Sequence, residues 1–115
     1  DLDTAENAAF VAAYEAKYGH VPGVYAMQGY DAARLIDGAL REAGGSDRDA
    51  LIAALEGAPF TSVRGDFSFG PNHFPIQDFY LTTVVQREDG KFATSVVEKI
   101  FDDYQDNYAA NCQMN

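Results

Sequence analysis

Few side chains in this sequence stand where they could make or break a bond. Asp66, Asp78, Asp102 and Asp103 offer carboxylates in the number that glycoside or other hydrolytic chemistry needs, but nothing places a nucleophile or a base between them. They are read as solvated charge. His20 and His73 both lie in turn sequences next to proline or asparagine, far apart along the chain, and make no metal pair by spacing. Cys112, the single cysteine, has no second thiol to close an internal disulfide and no neighbouring His or Cys to share a metal. It is a free thiol or half of a bridge whose other half lies outside this sequence. The run Gly65-Asp66-Phe67-Ser68-Phe69-Gly70 contains glycines without the GxGxxG spacing or the strand–loop–helix setting of a phosphate cradle. No catalytic set, metal site or cofactor is expected, and the chain is not read as an enzyme.

Binding is a different matter. Tyr18 to Ala33 reads YGHVPGVYAMQGYDAA, with three tyrosines, a methionine and a glutamine crowded beside glycines. Aromatic faces pack flat apolar groups, a methionine adapts its shape, and a glutamine both donates and accepts hydrogen bonds. Such a cluster packs something flat or apolar, either the protein's own core or a ligand.

The elements that must position this stretch follow from periodicity. Asp3 and Glu6 have the spacing of a capping box, and Phe10, Val11, Tyr14 and Tyr18 follow at helical intervals until Gly19 stops the helix. His20 to Gly23 form a connector, where Pro22 removes a backbone donor and pushes Val21 out of the helical region. A second helix begins between Val24 and Gln28 and runs to Ala43, carrying Met27, Tyr30, Ala33, Leu35, Ile36, Ala39 and Leu40 on a wide apolar face, and Gly44-Gly45 end it. Ser46, with Asp49 three residues on, caps a short third helix closed by Gly57. After Pro59 the period changes to that of strands: Phe67 and Phe69 alternate, and Gly70-Pro71-Asn72-His73 turns. From Phe79 to Gln86 one set (Phe79, Leu81, Thr83, Val85) opposes another (Tyr80, Thr82, Val84, Gln86), both β-prone, which predicts a strand covered on both faces. Asp89-Gly90 is a hairpin signal, and Phe92 to Ile100 pairs back. Residues 102–115 read as a peripheral arm.

Length and charge bound the rest. At 115 residues, 47% of them hydrophobic, the chain can bury one modest core. Eighteen acidic against eight basic residues give a net charge of −10, which repels nucleic acid and anionic membrane surfaces. No apolar run approaches the roughly 20 residues that span a bilayer, and the first ten residues show neither the basic nor the apolar region of a signal peptide, so the chain as given is expected to be soluble. Three helices followed by a strand and a hairpin leave apolar faces without partners. Either the chain is a segment of a larger α/β protein or it completes its core by oligomerising.

Taken in order, Phe10, Tyr14, Tyr18-Gly19, Pro22, Tyr25-Ala26, Gly29-Tyr30-Asp31-Ala32-Ala33, Leu40, Gly44-Gly45, Leu55, Arg64-Gly65, Phe67, Phe69, Tyr80, Gly90 and Cys112 carry a resemblance over nearly the whole chain. The sequence resembles the C-terminal third of type I periplasmic substrate-binding proteins, and more narrowly the branched-chain amino acid and aromatic acid receptors of ABC transporters. The resemblance implies two Rossmann-like α/β lobes that close by a hinge on a small ligand. Residues 1–20 would then be a second-lobe helix, 21–28 a crossover connector, 29–57 first-lobe helices, 58–101 strands near the hinge and 102–115 a tail. It places Tyr25, Met27, Gln28 and Tyr30 nearest the ligand, with the remaining contacts in a missing N-terminal portion. It implies a solute-binding component of an importer that captures a branched-chain amino acid or an aromatic or organic acid and delivers it to a membrane permease. Its location would be periplasmic, or extracellular and membrane-tethered where no periplasm exists. The competing expectation is a small acidic oligomerising domain with no small-molecule ligand.

Overall fold

The computed structural model describes residues 2–45 and 47–112. Three helices, α1 (Ala5–Tyr18), α2 (Val24–Ala43) and α3 (Arg48–Glu56), precede three strands, β1 (Phe67–Phe69), β2 (Pro75–Gln86) and β3 (Phe92–Tyr104), and a short 3-10 turn at Ala109–Asn111. The strands form one antiparallel sheet in the order β1-β2-β3. The expected α/β class, three helices followed by a short strand and a β-hairpin, is what forms.

Two caps differ from the sequence expectation. Thr4, rather than Asp3, caps α1: its hydroxyl accepts from the Asn7 backbone N–H at 3.2 Å, while the Asn7 side chain donates back to the Leu2 carbonyl at 2.9 Å. Asn7 thus ties the first turn back to Leu2 as a donor, where a capping-box Glu6 would have accepted from a backbone N–H. Asp47 caps α3, accepting from the Ala50 N–H at 2.9 Å, and Ser46 lies outside the described residues.

Helices α2 and α3 meet because Gly38 lets the chain after α3 approach. A Cβ on Gly38 would collide with the Pro59 carbonyl oxygen. The hairpin turn matches its sequence signal: Arg87 N–H donates to the Lys91 carbonyl at 2.8 Å, and Gly90 takes a φ of 81°. Across this turn Glu15 of α1 accepts from Arg87 at 2.9 Å, with Lys91 Nζ 3.5 Å away, tying the first helix to the hairpin.

The pairing of β2 with β3 shifts register between Gln77 and Phe79, between Phe79 and Tyr80, and between Leu81 and Thr82. At each shift the extra residue lies on β3, which bulges, and not on β2. β2 is longer than expected, beginning at Pro75, and β3 runs to Tyr104, so a boundary between 101 and 102 falls inside a strand. The tail beyond it is anchored where Asn72 donates to Asp106 at 2.7 Å.

The core is small. Phe10, Ala39, Ala54, Val63, Ala93 and Ala109 are the buried hydrophobic residues, whereas Phe79, Leu81, Val84, Phe92, Val97, Ile100 and Phe101 remain well exposed. The hairpin is therefore not covered on both faces by the described residues. The radius of gyration, 16.3 Å, exceeds the value of about 13 Å that a compact domain of this length takes. This shape agrees with the expectation that the apolar faces need partners the chain does not supply.

Candidate functional site: a groove between the helix connector and the hairpin

The first turns of α2 border an open groove of about 650 Å³, whose other walls come from α1, the Val21–Gly23 connector, Val63-Arg64 and the hairpin. Gly23 begins the helix without a side-chain cap, its carbonyl accepting from Ala26 and Met27. Residues 24–28 are thus helical, and the connector itself is only Gly19 to Gly23. This short link delivers Met27 and Gln28 into the groove wall. Tyr25 is 85% exposed and lies outside it. Tyr30 also lies outside, its ring 4.8 Å from that of Phe10 and its hydroxyl 3.4 Å from Arg34 Nη1. Of the four residues picked out beforehand, two come together at the groove, one projects from its rim, and one packs the two helices.

The groove wall is held by a buried polar cluster. Asp31, 2% exposed on α2, accepts from Ser62 Oγ at 2.6 Å, Val63 N at 3.0 Å and Arg64 Nε at 2.9 Å. Arg64 in turn donates from Nη1 to Gln77 Oε1 at 2.9 Å, and its guanidinium lies 4.7 Å from the Phe67 ring centroid. One carboxylate on α2 therefore fixes the loop before β1 and the head of β2. The sequence signal for it is Asp31's place at helical spacing among Met27, Leu35 and Ala39, an acid set within an apolar face. That signal reads as a residue with a buried partner, but its partners lie 31 to 33 positions away and periodicity does not name them.

A second charged cluster borders the groove at Asp78. It accepts from the Tyr80 hydroxyl at 2.8 Å and the Asp103 N–H at 3.0 Å, with Lys99 Nζ at 2.6 Å. The Lys99 hydrogen bond, followed by that from the Asp103 backbone, lowers the Asp78 pKa from 3.8 to about 2. Lys99 is held well above its ordinary value by Asp102 and then Asp78. Tyr80 is pushed up, first by burial and then by Asp78. Asp78 on the wall and Asp31 behind it are thus both engaged by cations of the chain itself. No group of three or more His, Cys, Asp or Glu side chains that could hold a metal forms among the described residues. His73 instead lies 3.0 Å from Glu56, and His20 Nδ1 lies 3.1 Å from the carbonyl of the next residue, Val21.

Residues 1–91 match the family model described as periplasmic binding protein. Among solved structures, a solute-binding protein of an ABC transporter from R. palustris, in complex with benzoate, is 38% identical with a TM-score of 0.82 over 99% of this chain and 31% of that one. An ABC transporter substrate-binding protein from Sphaerobacter thermophilus is 37% identical, with a TM-score of 0.77 over 89% of this chain and 29% of its own. A branched-chain amino acid transporter protein from Rhodopseudomonas palustris shares the fold at 23% identity and a TM-score of 0.69, over 84% of this chain and 27% of its own. A comparison with curated proteins gave no match. The chain spans about a third of the length of the solved structures it matches. With the family model covering most of its length, the chain belongs to the periplasmic binding protein family.

Proposed function

We propose that this chain forms one part of a solute-binding protein of an ABC importer, which captures a small organic acid or branched-chain amino acid between two lobes and hands it to a membrane permease. The observation that carries this reading is the 38% identity, along 99% of the chain, to a solute-binding protein in complex with benzoate. The groove supports it in kind, since its lining combines Met27, Phe79 and Val63 with the carboxamides of Gln28 and Gln77. A flat apolar body with one polar end suits such a lining. Family membership favours a periplasmic or extracellular location, and no catalytic role is proposed.

Met27 and Gln28 contact the ligand directly in this reading. Tyr25, projecting from the rim, meets it when the lobes close, and Tyr30 holds α2 against Phe10 behind them. Residues 1–20 and the strands of 58–101 lie beside the cleft, 29–57 support it, and the remainder of the two-lobed fold covers the exposed hairpin. Self-association through those exposed apolar side chains is the second reading, favoured by Phe79, Leu81, Val84 and Phe101 standing open.

A thermal-shift screen of the full-length protein separates the two. A ligand at 100 times its Kd stabilises the native state by about 2.7 kcal/mol, which moves the melting temperature by several degrees. Such a rise with benzoate or L-leucine is the expected result. No rise with either, together with a concentration-dependent dimer in sedimentation, favours the oligomer.

A further inference from the structure

Gln77 stands at the head of β2, between a buried ion pair and the open groove. Arg64 donates its Nε–H to Asp31 and its Nη1–H to Gln77 Oε1, each at 2.9 Å. A guanidinium has donors only, so the Gln77 atom that faces it is the carbonyl oxygen. The choice of flip that a carboxamide ordinarily leaves open is thereby settled. The NH2 group points away from Arg64 and makes no hydrogen bond to any described residue. Gln77 nevertheless lines the groove, together with Gln28.

The neighbouring charges sharpen what that NH2 can do. Arg64 is matched by Asp31 at 2.9 Å, and Asp78 by Lys99 at 2.6 Å, so neither pair presents an uncompensated charge to a ligand. The uncommitted polar hydrogens on this wall include those of the Gln28 and Gln77 carboxamides, beside the Thr82 hydroxyl and the remaining N–H groups of Arg64. We infer that Gln77 is a specificity-determining residue, donating an Nε2–H hydrogen bond to an oxygen of the ligand's carboxylate, with the Asp31–Arg64 pair holding the amide in that orientation. Arg64 and Asp31 act here as positioning residues, not as contacts. This inference rests on the reading of the groove as a small-acid site and names one donor within it.

The test compares an acid with its amide in the full-length protein, using benzoate and benzamide, or L-leucine and L-leucinamide if leucine proves to be the ligand. In Gln77→Glu the side chain still accepts from Arg64, but it offers no donor and repels a carboxylate. Benzoate affinity should fall by about 10- to 100-fold, the range for a hydrogen bond to a charged group, while benzamide affinity is kept or improves. The acid-to-amide preference therefore inverts, with the melting temperature of the unliganded protein little changed. Gln77→Met, of similar length and without donors, should lose about tenfold for the acid, and decides the matter alone if the glutamate variant does not fold. Equal changes for acid and amide, or no change for either, overturn the inference while leaving the binding function intact. A wild-type protein that binds neither acid overturns the binding function and this inference with it.

Discussion

At the scale of single residues, two acids carry the site's architecture in different ways. Asp31 is buried and accepts from three donors, one of them the Arg64 guanidinium. Removing one partner of a buried ion pair strands the other, at a cost of about 3–5 kcal/mol. Asp31→Ala should therefore lower stability by roughly that amount in denaturant unfolding, and Arg64→Ala by a comparable amount; a loss below about 1 kcal/mol, typical of surface pairs, contradicts the role. Asp78 contributes through pH. Its folded-state pKa, about 2, lies below the ordinary 3.8, so its stabilisation is complete above the ordinary value and drains away as pH falls from about 4 through about 2. Asp78→Asn should thus melt below the wild type at pH 7, and the gap should close toward pH 2. A gap that stays constant over that window shows that Asp78's charge does not act.

At the scale of elements, most boundaries were legible because helices end at glycines and hairpins turn at Asp-Gly. Gly19 and Gly44 end α1 and α2 with positive φ values of 77° and 66°, the backbone that favours glycine over residues with a Cβ. What escaped the sequence was long-range. The register shifts between β2 and β3 depend on which residues meet, so no local pattern marks them. The alternation itself was legible: Tyr80, Thr82 and Val84, from one of the two sets expected along β2, all border the groove. The stretch around Tyr25 was legible as a cluster with something to pack, but not which side chains border the groove, since the helix starts at Val24 and Asp31 fixes its contact with the chain before β1. Gly38 shows the same limit: nothing nearby in the sequence explains it, yet the Pro59 carbonyl sits where its Cβ would be. Gly38→Ala should destabilise by about 1–3 kcal/mol, the usual cost of forcing extra volume into a packed contact, despite alanine's better helix propensity. A variant as stable as wild type, or more so, contradicts the close approach of α2 to the chain after α3.

At the scale of the whole molecule, the class, the family and the need of the apolar faces for further partners were legible. The net charge of −10 turns the chain away from nucleic acid, and no described helix is long and apolar enough to cross a membrane. The extended shape and the open apolar hairpin fit a chain that spans 31% of its benzoate-bound structural neighbour. In the proposed function the groove between the connector and the hairpin is one wall of a cleft, with Met27, Gln28, Arg64 and Gln77 on it and Asp31 behind it. The most direct measurement is a calorimetric titration of the full-length protein and its Gln28→Ala and Met27→Ala variants with benzoate and with L-leucine. The account predicts saturable binding of one ligand per protein, weakened about tenfold in each variant, the loss of one hydrogen bond or one packed side chain, at unchanged melting temperature. Wild-type affinity retained in both variants, or no binding of either compound by the wild type, would contradict it.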